Sequence, residues 1–464
     1  MTDHETPDVA ETARRIAAGE TTARDVTAAA LARIEERDPG LNAFSVVLER
    51  QALAEARARD AAQDSGSDLG PLHGVPVAIK EELDVASTVT TFGGRGNSTP
   101  QPADCEIVRR LRAAGAVVIG KTTMPEFGAW PYTESEDRGI TRNPWDPTCT
   151  PGGSSGGTAV AVSTGMVPAG IGGDGGGSIR IPSAFCGLFG LKPQRGRVTS
   201  APHPHLWWSL GTFGPLTRSV LDSAVVYDAI RGSLDSDLYR AGETGSFVDA
   251  ARREPGRLRI GWSTKPVTKG VRPDGRNVRA VEDTARLLTE LGHDVAEVDP
   301  AYPDPTLAFV PQFFAGIRSE ADEVEHYERL ERRIRATYRL GTWVTPKVRE
   351  RALSMTETVS LEANRIFDRI DVLLTPTTAH RPPRTGVHTG TGPVRATLRS
   401  MPAIAYVALW NVAGNPAASV PRGVGDDGLP LAVQLVGPTD GEGRLLSLAA
   451  QLEQAAPWPL VAPR

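Results

Sequence analysis

The chain reads Gly152-Gly153-Ser154-Ser155-Gly156-Gly157 and then, beyond a run of small and apolar residues from Thr158 to Met166, Asp174-Gly175-Gly176-Gly177-Ser178-Ile179-Arg180. Eleven glycines fall in the twenty-six residues from Gly152 to Gly177, and Ser154 and Ser178 stand 24 residues apart. Glycine loses more conformational freedom on folding than any other residue, so this density points to positive φ angles or to backbone brought close to a ligand. A flexible Gly/Ser linker is a poor account, because linker text does not carry an apolar run such as Thr158 to Met166.

Three readings of this stretch compete. Gly170, Gly172 and Gly175 satisfy the Gly-x-Gly-x-x-Gly of a dinucleotide fingerprint, which also needs a following helix and an acidic residue about 20 positions on. Here Pro182 and Gly187 follow, and the region near Arg195 is basic. Gly152, Ser154 and Gly156 satisfy the Gly-x-Ser-x-Gly of a nucleophile elbow, with His380 available as a base, but an elbow needs a strand leading into its serine. The approach from Asn143 to Pro151 has three prolines in nine residues instead. The third reading joins both serine loops to a lysine. Val75, Val77 and Ile79 alternate with other residues after Gly74, and Lys80, Glu81 and Glu82 close the run, which predicts a short strand with Lys80 at its end. Gly175, Gly176 and Gly177 lead into Ser178, and amides without side chains in the way are suited to a developing oxyanion.

Through Pro71 to Lys80, Gly152 to Gly157, Asp174 to Arg180 and Phe185 to Pro193, the chain resembles the amidase signature family. The resemblance is dense over about residues 70–222, takes in Gly214 to Ser219, and returns at Asp371 to Thr377 and Asn411 to Gly437. It implies one large α/β domain over residues 1–464, a mixed central sheet covered by helices on both faces. A helical segment would occupy 1–68, and 257–464 would complete the sheet and the pocket. The resemblance further implies that Ser178 attacks an amide carbonyl, that Ser154, after a cis Gly153–Ser154 bond, relays the proton, and that Lys80 receives it as a neutral amine. The amides of Gly175, Gly176, Gly177 and Ser178 would form the oxyanion hole, supported by Ser155, Asp174 and Arg180. Phe127, Trp130, Trp207 and Trp208 would belong to the substrate pocket, while His203 and His205 need not titrate. The implied reaction is hydrolysis of a carboxylic amide to an acid and ammonia or an amine through an acyl-enzyme, with no metal and no cofactor. Glu81-Glu82 stands where the family usually has Asp-Asn, and Gly175 where a bulkier residue is frequent.

Outward from this core the text keeps an α/β rhythm. Thr22 followed by Asp25 fits a capping box, with Val26, Ala30, Leu31 and Ile34 at helical spacing beyond it. Ile107, Val108 and Leu111 form a helical face ending at Gly115, before a strand from Ala116 to Ile119. Val278 to Leu291 repeats that unit, with Gly292 and a strand Val295 to Val298. Residues 419–421 and 431–436 flank Asp427-Gly428 as a hairpin, and Leu445 to Leu452 makes a closing helix. Residues 232–256 are the least patterned and read as an insertion or surface loop.

Composition narrows the partners. Gly 48 and Pro 37 make up about 18% of the 464 residues, which suits a folded, loop-rich chain. The net charge of −5 supplies no basic field for a phosphate backbone or an anionic membrane, so nucleic acid and lipid are disfavoured. Cys105, Cys149 and Cys186 are too few and wrongly spaced for a disulfide framework or a thiolate zinc site, which fits a reducing compartment. Asp3, Glu5, Asp8 and Glu11 argue against a secretory signal, and no uncharged apolar run reaches about 18 residues, so a cytoplasmic protein is expected. A small-molecule amide is the expected partner, and a homodimer is left open. Two other classes share the fold. One is the glutaminase subunit of a tRNA-dependent amidotransferase, whose Tyr-Asp-Gly-Val-Arg stretch is missing between Gly232 and Ile370. The other is a non-catalytic binding protein, which would be expected to lose one of Lys80, Ser154 and Ser178.

Overall fold

The strand that ends in Lys80 is buried along its whole length and feeds two cores at once. In this computed structural model, which describes residues 8–67 and 69–463, Val77 and Ile79 enter one apolar cluster while Ala78 enters another. Successive side chains of a strand point to opposite faces. The same division recurs far away, where Val372 and Leu374 join the first cluster and Leu373 joins a third. Apolar residues on both faces explain why the strand text is continuous and shows no alternation of apolar with charged residues.

In chain order the strands are β1 (Phe44–Val47), β2 (Pro76–Lys80), β3 (Val117–Thr122), β4 (Glu134–Ser135), β5 (Gly139–Ile140), β6 (Ala169–Gly173), β7 (Phe189–Lys192), β8 (Phe213–Thr217), β9 (Arg259–Trp262), β10 (Asp294–Glu297), β11 (Val372–Pro376), β12 (Ala417–Val424) and β13 (Pro430–Val436). Eleven of them form one sheet in the order β1-β3-β2-β6-β8-β7-β12-β13-β11-β9-β10, and β4 and β5 make a separate ribbon. β2 pairs in parallel with both β3 and β6, whereas β6 runs antiparallel to β8. β12 and β13 are the expected hairpin, and β9 pairs in parallel with β10 and β11, so the sheet is mixed. Helices cover both faces, and the helix Gly156–Ser163 is buried on every side against β2, β6 and β8.

Local signals match the expected elements, with small displacements. Thr22 caps the helix Ala23–Leu41, its hydroxyl accepting from the Asp25 amide at 3.0 Å. The strand expected at Val295 to Val298 starts one residue earlier, as β10. The unpatterned stretch at 232–256 contains a short helix, Phe247–Arg252, capped by Ser246, which six residues of text are too few to announce. Of the expected N-terminal helical segment, residues 1–7 and 68 lie outside the described residues. No described helix is long and apolar enough to cross a membrane.

The closing helix Glu442–Ala455 is pinned by a half-buried carboxyl. Glu453 accepts from the Val220 amide at 3.1 Å, and burial pushes its carboxyl up to about 7, with Asp222 and Asp8 adding to the effect. An acid raised in the folded state contributes stability below its ordinary range and loses it as pH rises through the folded value. Glu453→Gln should therefore melt above the wild type at pH 8 and with it at pH 5, a comparison that thermal unfolding at the two pH values makes directly.

Candidate active site

β2 delivers Lys80 to the end of its run of pairs with β3 and β6. The side chain is 1% exposed, and its Nζ donates to Ser154 Oγ at 2.8 Å. Ser154 follows a cis peptide bond with Gly153, as the resemblance implied, at the entrance to the helix Gly156–Ser163. The second serine loop leaves β6 and turns into the helix Arg180–Cys186. The two loops are stitched together: the Ser155 amide donates to the Ser178 carbonyl at 3.3 Å, and Ser155 Oγ bonds both the amide and the carbonyl of Gly173. Lys80, Ser154 and Ser178 line one narrow cleft with Phe127, Gly128 and Gly175. A neutral lysine amine in hydrogen-bond contact with one serine, beside a second serine, can accept a proton passed along the pair.

The rival readings of the glycines do not hold. Gly170 and Gly172 sit inside β6, where a dinucleotide fingerprint needs them in a turn after the strand, and the helix that follows has seven residues. The chain enters Ser154 from irregular backbone, and His380 bonds Tyr132 at 3.2 Å and makes no bond to the serine.

The Ser178 loop is organised by a buried ion pair. Asp174 and Arg180 are both fully buried and meet through two bonds of 3.0 Å, Nε to Oδ2 and Nη2 to Oδ1. Asn411 donates to Asp174 Oδ1 at 2.8 Å and accepts from Arg180 at 2.6 Å, while Gln434 accepts from Arg180 at 2.9 Å. Burial alone would raise the Asp174 carboxyl, but the Arg180 guanidinium and its bonds, with Lys192 and Asn411, outweigh it and hold the group well below the usual carboxylate range. The opposite outcome falls on Lys192, which burial and the Arg180 charge push down to about 7.

This carboxylate changes the expected oxyanion hole. The Gly177 amide donates to Asp174 Oδ1 at 2.7 Å and is spent inside the loop. The amides of Gly175, Gly176 and Ser178 have no acceptor among the described residues, so three of the four expected donors remain available. The physical reason is that Asp174 caps the turn before the helix and needs an amide donor of its own.

Trp207 divides the space around the cleft. It lines the cleft itself, an apolar cavity of about 320 Å³ that reaches Ser178, and a second cavity of about 120 Å³ beside Glu82 and Glu320. Its indole N–H donates to Glu320 Oε1 at 2.8 Å. A Cβ on Gly175 would come within 3.0 Å of the indole ring, and one on Gly316 within 2.7 Å. The missing side chain at Gly175, noted as a departure, is therefore the room that the indole occupies. Trp130 also lines the apolar cavity, and Phe127 lines the cleft. Trp208 does not belong with them: it stacks on His205 at 4.1 Å between ring centroids, with Arg349 on its ring at 4.2 Å, and lines none of these spaces. Consecutive positive φ values at Trp207 and Trp208, 49° and 61°, send the two rings apart.

Sequence reasoning missed the far side of the site. Phe309 and Phe313, four residues apart on the helix Thr306–Glu323, and Met401 and Ile404, on the helix Pro393–Ile404, form much of the apolar cavity. Asn411 and Gln434 lay within a recognised stretch but had no role, since nothing in the text reveals a bond across more than 230 residues. Asp174→Asn should strand the Arg180 charge and lower stability by about 3–5 kcal/mol, the usual effect of breaking a buried pair. Because the carboxyl is depressed, the wild type keeps this contribution above the ordinary aspartate range and loses it as pH falls below that range. Urea unfolding at pH 7 and pH 3 should show the gap between the two proteins narrowing at the lower value.

Comparisons with known proteins agree with this geometry. The family model described as Amidase matches residues 25–446. A Mycobacterium tuberculosis protein named "Putative amidase AmiB2" is 47% identical over 449 residues, covering 96% of this chain and 95% of its own. A Synechococcus protein named for its place in the glutamyl-tRNA(Gln) amidotransferase is 35% identical over 478 residues, covering 97% of each. Among solved structures, that of 6-aminohexanoate cyclic dimer hydrolase complexed with substrate superposes with a TM-score of 0.92 at 28% identity, covering 98% of each chain. Fold, family match and relatives converge, and the chain is a member of the amidase signature family and an amide hydrolase.

Proposed function

We propose that the protein hydrolyses a small carboxylic amide with an uncharged, largely apolar body, through Ser178 as nucleophile, Ser154 as proton relay and Lys80 as base. The observation that carries this reading is the 2.8 Å contact between Lys80 Nζ and Ser154 Oγ in a buried cleft shared with Ser178, which opens on the apolar cavity. Ser178 Oγ attacks the carbonyl carbon, its proton passing to Ser154 while the Ser154 proton passes to Lys80. The free amides of Gly175, Gly176 and Ser178 receive the oxyanion. Collapse breaks the C–N bond, the departing nitrogen takes a proton back through Ser154, and water releases the acid by the same path reversed.

The apolar cavity favours this substrate class over glutamine. Trp130, Trp207, Phe309, Phe313, Met401 and Ile404 supply its walls, and none of its lining residues carries a charge. A zwitterionic amino acid placed there would bury two charges without partners, which is costly. The relative from the glutamyl-tRNA(Gln) amidotransferase keeps the glutaminase reading as the alternative, and a partner protein copurifying with glutamine-dependent ammonia release would establish it.

An activated fluorophosphonate should label one serine, and peptide mapping should place it at Ser178. Label on Ser154 would overturn the assignment of roles. Lys80→Ala should lose at least the ~10²- to 10⁴-fold that general-base assistance supplies, and Lys80→Arg should not restore it, because arginine keeps its proton. Turnover should survive chelators. In a panel of amides, aryl and alkyl acyl amides should outperform glutamine in kcat/KM, and a preference for glutamine would sink the substrate reading.

A further inference from the structure

Glu82 occupies a position that neither the serine pair nor the apolar cavity explains. The chain turns sharply after β2, with the Leu83 amide donating to the Lys80 carbonyl at 3.0 Å, and the turn folds the Glu82 side chain back onto the lysine two residues earlier. Glu82 Oε1 lies 2.9 Å from Lys80 Nζ, with the two side chains 8% and 1% exposed. The neighbouring Glu81 is engaged elsewhere, accepting from Thr91 Oγ1 at 2.8 Å and lying 3.8 Å from Lys121. Gly173, at the end of β6, leaves the space that the Glu82 carboxylate fills, since a Cβ there would overlap Oε1. Lys80 thus touches Ser154 on one side and a buried carboxylate on the other.

We propose that Glu82 is the positioning residue of the relay, holding the Lys80 amine against Ser154 and compensating the charge that Lys80 acquires during acylation. This rests on the reading of Lys80 as the base. When Ser178 attacks, one proton moves from Ser178 to Ser154 and one from Ser154 to Lys80, turning a buried amine into an ammonium. Alone, a buried ammonium is unfavourable. Beside Glu82 it forms as half of an ion pair, so the contact is stronger at the transition state than with the neutral amine, which is the condition for raising the rate. When the C–N bond breaks, the proton returns through Ser154 to the leaving nitrogen and Lys80 is neutral again. Glu82 gains and loses no proton in the cycle.

The same contact has an opposing effect on the free enzyme. A carboxylate against an amine favours the protonated amine, so it reduces the fraction of enzyme ready to accept a proton at low pH. The other titratable groups around Glu82 are Glu320 and Glu323 on the helix Thr306–Glu323, with His203 and His205 from the loop before Trp207. Burial, against the Trp207 bond and with the Glu82 charge adding to it, raises the Glu320 carboxyl well above the ordinary range. Burial and His203 push His205 down to about 4. Glu323 is exposed at the cavity's edge, and of these carboxyls Glu82 is the one that lies against the Lys80 amine.

The test is the pH profile of kcat/KM on one neutral amide for wild type, Glu82→Gln, Glu82→Asp and Lys80→Ala. Glu82→Gln should lower the high-pH plateau by about ten- to a hundredfold, less than the ~10²- to 10⁴-fold tied to the base itself. It should also move the acid limb about one pH unit or more lower. A residue that merely packs the cleft would lower the plateau and leave the limb in place, and that result overturns the proposal, as does an unchanged plateau. Glu82→Asp keeps the charge but withdraws it by one methylene, so its limb should stay with the wild type while its plateau falls. This variant decides the matter on the same readouts if Glu82→Gln does not fold. Lys80→Ala separates the two levels: full activity there removes the relay itself, whereas an inactive Lys80→Ala beside an unmoved Glu82→Gln limb removes only the role of Glu82.

Discussion

Asp174 and Arg180 meet inside the protein with no exposure on either side, and the candidate site depends on that pair being satisfied. Two charges cannot be left in a low-dielectric interior without partners, and this pair draws its partners from distant parts of the chain. Asn411 and the Val407 carbonyl come from the segment around the helix Ala408–Ala413, and Gln434 comes from β13. The Gly177 amide comes from the loop itself. Satisfying the ion pair therefore brings the C-terminal part of the sheet against the Ser178 loop and freezes the backbone on which the remaining amides are displayed.

Around this point the protein makes space by leaving side chains out. Gly173 admits the Glu82 carboxylate to Lys80, and Gly175 admits the Trp207 indole to the rim of the cleft. Each glycine lies opposite a bulky or charged group whose arrival depends on it. The two departures from the family pattern, at Glu81-Glu82 and at Gly175, are thus parts of one local arrangement in which a carboxylate reaches Lys80 and an indole stands between the cleft and the apolar cavity. That cavity takes much of its wall from helices over a hundred residues beyond the serine loops, so its shape is set independently of the glycine-rich stretch.

Much of the fold was legible because its signals are local. Thr22 capping through Asp25, the strand that ends at Lys80, the hairpin around Asp427-Gly428 and the two serine loops each depend on a handful of adjacent residues. The short helix at Phe247–Arg252 escaped because six residues cannot establish a period. Trp207 and Trp208 were read together because both follow the second serine loop closely in the chain, whereas successive left-handed backbone angles turn the two rings to different neighbours.

By itself the sequence determined most of the element types and the family, because propensity, spacing and loop composition act over short stretches. It also determined that Lys80 stands at a strand end and that two serines stand in glycine-rich loops. Only the tertiary structure decided which oxygen the lysine touches, that Glu82 faces it from behind, that Asp174 consumes the Gly177 amide, and which helices enclose the apolar cavity. Those facts are contacts between residues far apart in the chain, and such contacts are selected by how the sheet's two faces are packed and by the need to satisfy every buried charge, neither of which any local stretch of sequence encodes.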